Sequence, residues 1–64
     1  MTVTDFINRT RITHAIAKLA KSTLSIQDIA EQCGFTDGNY FTRTFRKVNG
    51  MTPNEYRISL KRHP

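Results

Sequence analysis

Apolar residues recur along this 64-residue chain with the spacing of helices, and no stretch alternates with the two-residue period of a strand. Ile12, Ala15, Ile16 and Leu19 fall at i, i+3, i+4 and i+7, one face of a first helix that Thr4 is placed to cap and that ends near Ser22. Ser25, with Asp28 three residues later, forms a variant capping box that opens a second, short helix. Its apolar positions are Ile26, Ile29, Ala30 and Cys33, and Gly34 stops it in the left-handed conformation a glycine tolerates. Asp37 caps a third helix over about residues 37–49, closed by Gly50. Thr52-Pro53-Asn54-Glu55 opens a fourth: a cap residue, proline in the first helical position and a glutamate at the third. That helix turns Tyr56 and Leu60 inward and frays into Lys61-Arg62-His63-Pro64. The predicted fold is all-α, a small bundle of about four helices.

Length limits what such a bundle can do. A chain of this size buries only roughly 60% of the surface its unfolded form exposes, so it has room for a small core and not for an enzyme cleft as well. The longest apolar run, Ala15-Ile16-Ala17, neither spans a membrane nor forms a signal peptide. A small cytoplasmic binding module is the expectation, with no enzyme activity. Charge adds a direction. Residues 1–37 balance Arg9, Arg11, Lys18 and Lys21 against Asp5, Asp28, Glu31 and Asp37, whereas residues 38–64 set Arg43, Arg46, Lys47, Arg57, Lys61 and Arg62 against Glu55 alone. The whole net charge of +5 therefore lies in the second part. A field gathered at one end favours a polyanion, nucleic acid before an anionic membrane surface.

Gly34-Phe35-Thr36 joins the second and third helices in a three-residue turn containing glycine, the connection of a helix-turn-helix whose second helix enters the major groove. Ala30 fits this arrangement, since a small side chain lets two helices cross closely. At about 100° per residue, Tyr40, Phe41, Thr44, Phe45 and Val48 share one face of the third helix, and Asn39, Thr42, Arg43 and Arg46 the opposite one. An aromatic stripe thus seats the helix, and its outer face is polar, cationic and free of acids. Arginine can pair with guanine O6/N7 and asparagine with adenine N6/N7, and a threonine methyl can pack on that of thymine. Gly38, with no side chain, leaves room for a phosphate to approach the backbone.

The stretch from Ser25 through Lys47, then Gly50, Thr52-Pro53 and Tyr56-Arg57, resembles the AraC/XylS family of bacterial transcription regulators. The resemblance rests on Ile29-Ala30 in the first helix of the pair, Gly34-Phe35 at the turn, Tyr40-Phe41, Phe45-Arg46-Lys47, and the glycine, Thr-Pro and Tyr-Arg that follow. Cys33 replaces the usual valine, and Gly38 replaces a longer polar residue. The resemblance implies a homeodomain-like helix-turn-helix that matches the second of the family's two units. It also implies base contacts from Gly38, Asn39, Thr42, Arg43 and Arg46, with Gly38 the weakest. Lys47 and the amide groups near Ser25 and Ile26 at the start of the second helix are expected to hold phosphates.

The same resemblance divides the chain into residues 1–22, a linker helix leading from an absent upstream helix-turn-helix unit, and residues 23–64, the helix-turn-helix subdomain. Phe6-Ile7-Asn8, Arg11-Ile12 and Ala15 look like that linker. At an offset of 50 residues the start also repeats the end: Met1-Thr2 matches Met51-Thr52, and Asp5, Phe6 and Arg11 parallel Glu55, Tyr56 and Lys61. Phe6 and Ile7 project away from the core stripe, where an upstream unit would dock, unless the N-terminus folds back over them. The expected partner is double-stranded DNA; the alternative function is a protein-interaction module that contacts RNA polymerase or another regulator. His14 and His63 have no ligand-spaced companions, so neither metal nor cofactor is expected. Cys33 reads as a small buried hydrophobe, with Asp28, Glu31 and Asp37 nearby to raise its thiol pKa.

Overall fold

In a computed structural model describing residues 2–62, with side chains as far as Lys61, the chain forms α1 (Val3–Lys21), α2 (Ile26–Gln32), α3 (Gly38–Asn49) and α4 (Pro53–Arg62). The C-terminal stretch expected to fray is helical as far as Arg62; Met1, His63 and Pro64 lie outside the described residues.

Each helix begins on a side-chain cap. In α1 the cap is Thr2, not Thr4: its hydroxyl accepts the Asp5 N–H at 3.0 Å while its own N–H donates to the Asp5 carboxylate at 3.4 Å. Thr2 has a carboxylate three residues on and Thr4 has Ile7 there, so only Thr2 can close the reciprocal pair. Ser22 ends the helix, with its N–H and hydroxyl both donated to the Lys18 carbonyl. Ser25 caps α2 by accepting the Asp28 N–H at 3.1 Å, the forward bond of the expected box. Asp37 caps α3 by accepting from Asn39, and Gly50 closes it with an N–H to the Arg46 carbonyl. Thr52 and Glu55 at α4 make the same reciprocal pair as Thr2 and Asp5, at 2.9 and 3.1 Å.

The turn between α2 and α3 is fixed by backbone. Gly34 adopts φ +91°, and its N–H bonds to the Glu31 carbonyl while that of Phe35 bonds to Ala30. These two bonds make a Schellman closure, which requires the left-handed conformation at Gly34. They also drop the Phe35 ring into the core. Arg11 of α1 lies over that ring, 5.8 Å from its centroid.

The core is one cluster: Ile12, Ala15 and Leu19 from α1, Ile29, Ala30, Cys33 and Phe35 from α2 and the turn, and Phe41 and Phe45 from α3. Ile16, Ile26, Val48 and Tyr56 pack half-buried around it. Truncating a fully buried phenylalanine such as Phe41 or Phe45 typically costs about 3–5 kcal/mol, comparable with the whole stability expected of so short a chain. Arg57 of α4 reaches across to the connection between α1 and α2, tying the last helix to the first. Val3, Phe6 and Ile7 stand exposed on α1. The first turn of α1 is regular helix, with Phe6 N–H bonded to the Thr2 carbonyl, so these residues do not fold back. Among the described residues no helix is long and apolar enough to cross a membrane.

Candidate nucleic-acid interface

A line of aromatic rings holds α3 from behind. Phe35 meets Phe41 with centroids 5.0 Å apart, Phe41 meets Phe45 at 5.9 Å, and Phe45 meets Tyr56 of α4 edge-on at 5.8 Å. Tyr40 departs from the expected inward stripe, with 41% of its surface exposed. Position 40 sits at the margin of that stripe, where Phe35 and Phe41 already fill the interior. Its ring leans on Phe35 at 5.9 Å, and its hydroxyl takes a hydrogen bond from Asn8 Nδ2 of α1 at 3.1 Å. Tyr40 therefore braces α3 against α1 from the outside.

The outer side of α3 carries Asn39, Arg43, Arg46 and Lys47 exposed, with Gly38 and Thr42 half-buried. Two hollows flank the helix and divide these residues. One, about 340 Å³, brings Gly38, Asn39 and Thr42 together with Ile26 and Gln27 of α2. The other, about 460 Å³, holds Arg43 and Lys47 on the side toward α1. Arg46 lines neither hollow; its charge lies toward the start of α4, where it adds a minor pull on Glu55. Ser25 stands at the N-terminus of α2 with its hydroxyl engaged as the cap.

Gln27 has no counterpart in the sequence reading. A Cβ placed on Gly38 would lie 2.7 Å from its Oε1, so the missing side chain at 38 lets the Gln27 amide settle onto the start of α3. Gln27 Nε2 in turn donates to Glu31 at 3.2 Å. The two positions are eleven residues apart on different helices, and only a glycine at a helix start hinted at close approach. The contacts of Asn8 with Tyr40, Arg11 with Phe35 and Arg57 with Leu24 are hidden for the same reason, since each pair is distant in sequence.

Two titrations are displaced. The Glu55 carboxyl is held below its ordinary value of 4.5, chiefly by the Thr52 backbone N–H and then by the Thr52 side chain. Burial pushes the Cys33 thiol up, with Lys18 opposing. The cause at Cys33 is thus desolvation rather than the nearby carboxylates named from the sequence. A neutral, buried thiol is a poor nucleophile, in keeping with Cys33 as packing.

A short capped helix, a glycine-closed turn and a firmly seated second helix with an outward cationic face define a helix-turn-helix domain. Sequence comparison agrees: a family profile described as a helix-turn-helix domain matches residues 1–59. The chain is 42% identical over 57 residues to the HTH-type transcriptional activator RhaR of Escherichia coli, and 44% identical over the same length to RhaR of Salmonella arizonae. Each alignment takes in 89% of this chain and 20% of the relative, so the chain spans about a fifth of the length of these curated relatives. Among solved structures, the C-terminal domain of the two-component response regulator yesN from Fusobacterium nucleatum superposes with a TM-score of 0.85 at 37% identity, covering 89% of this chain and 55% of that one. The chain belongs to the AraC-type helix-turn-helix family, the domain type of AraC-type transcription regulators.

Proposed function

We propose that this domain binds duplex DNA sequence-specifically, with α3 in the major groove, as part of a bacterial AraC-type regulator working in the cytoplasm. The observation that carries the reading is the two-sidedness of α3: Phe41 and Phe45 are fully buried, while Asn39, Arg43 and Arg46 are exposed with no acid among them. A helix held that firmly has little backbone freedom to lose on binding.

In this reading Asn39, Thr42, Arg43 and Arg46 contact base edges, and Gly38 contributes least, because the Gln27 amide lies over the space its missing side chain leaves. Lys47 holds phosphate, as do the amide groups near Ser25 and Ile26. The relatives named transcriptional activators suggest activation as the outcome. Selection of this chain against a random duplex pool at low salt tests the function. Enrichment of a short motif supports it; binding that enriches nothing reduces the domain to electrostatic attraction, and no binding overturns it.

Residues 1–22 act in this reading as a linker helix from an upstream unit that docks on Phe6 and Ile7. Support comes from the matching capping pairs of α1 and α4, which make Phe6 the counterpart of Tyr56, the ring that packs on Phe45. Phe6 is 64% exposed and has no such partner among the described residues. Adding an upstream unit should slow hydrogen exchange at the Phe6 and Ile7 amides; unchanged exchange counts against docking. The exposed strip Val3, Phe6 and Ile7 also favours the second reading, a surface for RNA polymerase or another regulator. Shifts in NMR spectra on adding DNA separate the two, at the cationic face of α3 for the first and nowhere on it for the second.

A further inference from the structure

We propose that Arg9 of α1 is a DNA-phosphate contact, and that with Lys47 it holds a phosphate strand in a cationic groove between α1 and α3, beside the base-reading Arg43. This inference rests on the DNA-binding reading and extends it to a helix outside the helix-turn-helix pair.

The groove encloses about 460 Å³. Asp5, Asn8 and Arg9 line it from α1, and Tyr40, Arg43 and Lys47 from α3. Three cations on two helices thus face one concavity that holds a single carboxylate. That carboxylate, on Asp5, is already drawn to the Thr2 N–H at the cap. Like charges brought together in a hollow raise the local potential and favour an anionic occupant. The groove is also braced, because the bond from Asn8 to the Tyr40 hydroxyl ties α1 to α3 one residue before Arg9.

Position relative to α3 identifies the anion. The helix has a hollow on each side, one formed with the start of α2 and this one formed with α1. A helix in a major groove, about 12 Å wide, has a phosphate strand on each side as well. The amide groups near Ser25 and Ile26 meet one strand; Arg9 and Lys47 meet the other. Arg9 is exposed on α1 and lies outside the core cluster, so its side chain is not needed for packing.

The test is titration of the 64-residue chain and its Arg9→Ala, Arg9→Lys and Asp5→Asn variants against an enriched and a scrambled duplex over a salt series. Arg9→Ala should weaken both duplexes by the same factor and lower the salt slope by about one, so that the affinity lost between about 50 and about 200 mM salt shrinks by roughly threefold. Arg9→Lys should restore most of the slope, and Asp5→Asn should tighten both duplexes. Unfolding midpoints of the Arg9 variants should match the parent, which separates the effect from a loss of fold. An Arg9→Ala chain with unchanged affinity and slope overturns the inference and leaves the DNA reading standing. A loss confined to the enriched duplex also overturns it, by making Arg9 a reader of bases. A parent chain that binds neither duplex overturns both.

Discussion

The Arg57 guanidinium donates from Nη1 to the Leu24 carbonyl at 2.6 Å, with Nη2 3.4 Å from the carbonyl of Ser22. Both acceptors lie in the connection between α1 and α2, where the backbone has left the helix. A charged fork therefore satisfies carbonyls that helical bonding does not reach, and it anchors α4 to the connection between the first two helices. Arg57→Ala should lower stability by about 2 kcal/mol, the usual scale for bonds to a charged donor. Arg57→Lys, which keeps the charge but not the fork, should recover only part. Urea unfolding of the three chains measures this, and equal midpoints would remove Arg57 from the account of the fold.

The glycines at 34 and 38 should respond oppositely to alanine. At Gly34, φ is +91° and a new Cβ would lie 3.3 Å from Arg11 Nε, so Gly34→Ala should cost roughly 1–2 kcal/mol. At Gly38 the obstructing atom is the tip of Gln27, which can swing aside. Alanine there gains up to about 1 kcal/mol of helix propensity, so Gly38→Ala should be neutral or stabilising. Thermal unfolding reads the stabilities, and the Gln27 side-chain amide should shift in NMR spectra of the Gly38 variant.

The cap of α4 gives acid sensitivity with a definite sign. Because the folded carboxyl of Glu55 titrates below its ordinary value of 4.5, its contribution is present above that value and is lost as pH falls through the lowered one. Glu55→Gln should therefore remove part of the fall in stability on acidification below about pH 4.5, seen as a flatter curve of unfolding midpoint against pH. Parallel curves for parent and variant would show that the Thr52 bonds do not favour the ionised form.

Within α3, Arg43 and Lys47 should separate base reading from phosphate holding. Arg43→Ala is expected to cost about 1–3 kcal/mol on the enriched duplex and little on a scrambled one. Lys47→Ala should weaken both alike and reduce the salt slope by about one. Fluorescence anisotropy on the two duplexes measures this, and identical patterns for both variants would overturn the division of roles.

Sequence disclosed what is local. Ser25, Asp37 and Thr52 cap the helices they were expected to cap, because a cap bonds to an amide two or three residues away. Phe41 and Phe45 are buried where helical spacing put them. Thr4 is the exception among the caps, although Thr2 and Asp5 have the local spacing of a reciprocal pair. Tyr40 departs from its expected place because periodicity records a margin residue's angle but not the polar neighbour, Asn8, that its hydroxyl finds 32 residues away. The partition of the outer face of α3 between two hollows was likewise hidden, because α1 and α2 determine it and the spacing within α3 does not.

The row of rings from Phe35 through Phe41 and Phe45 to Tyr56 couples the turn, α3 and α4 in one contiguous set of contacts. The turn, α3 and α4 each own a ring whose neighbour belongs to another part of the row or to its own next turn, so releasing one exposes the next. Such coupling predicts that amides at the centre of α3 exchange with solvent chiefly through unfolding of the whole domain, a pattern that native-state hydrogen exchange reads directly. On the proposed DNA reading, adaptation on binding would then fall to the tips of the arginines and to the nucleic acid itself.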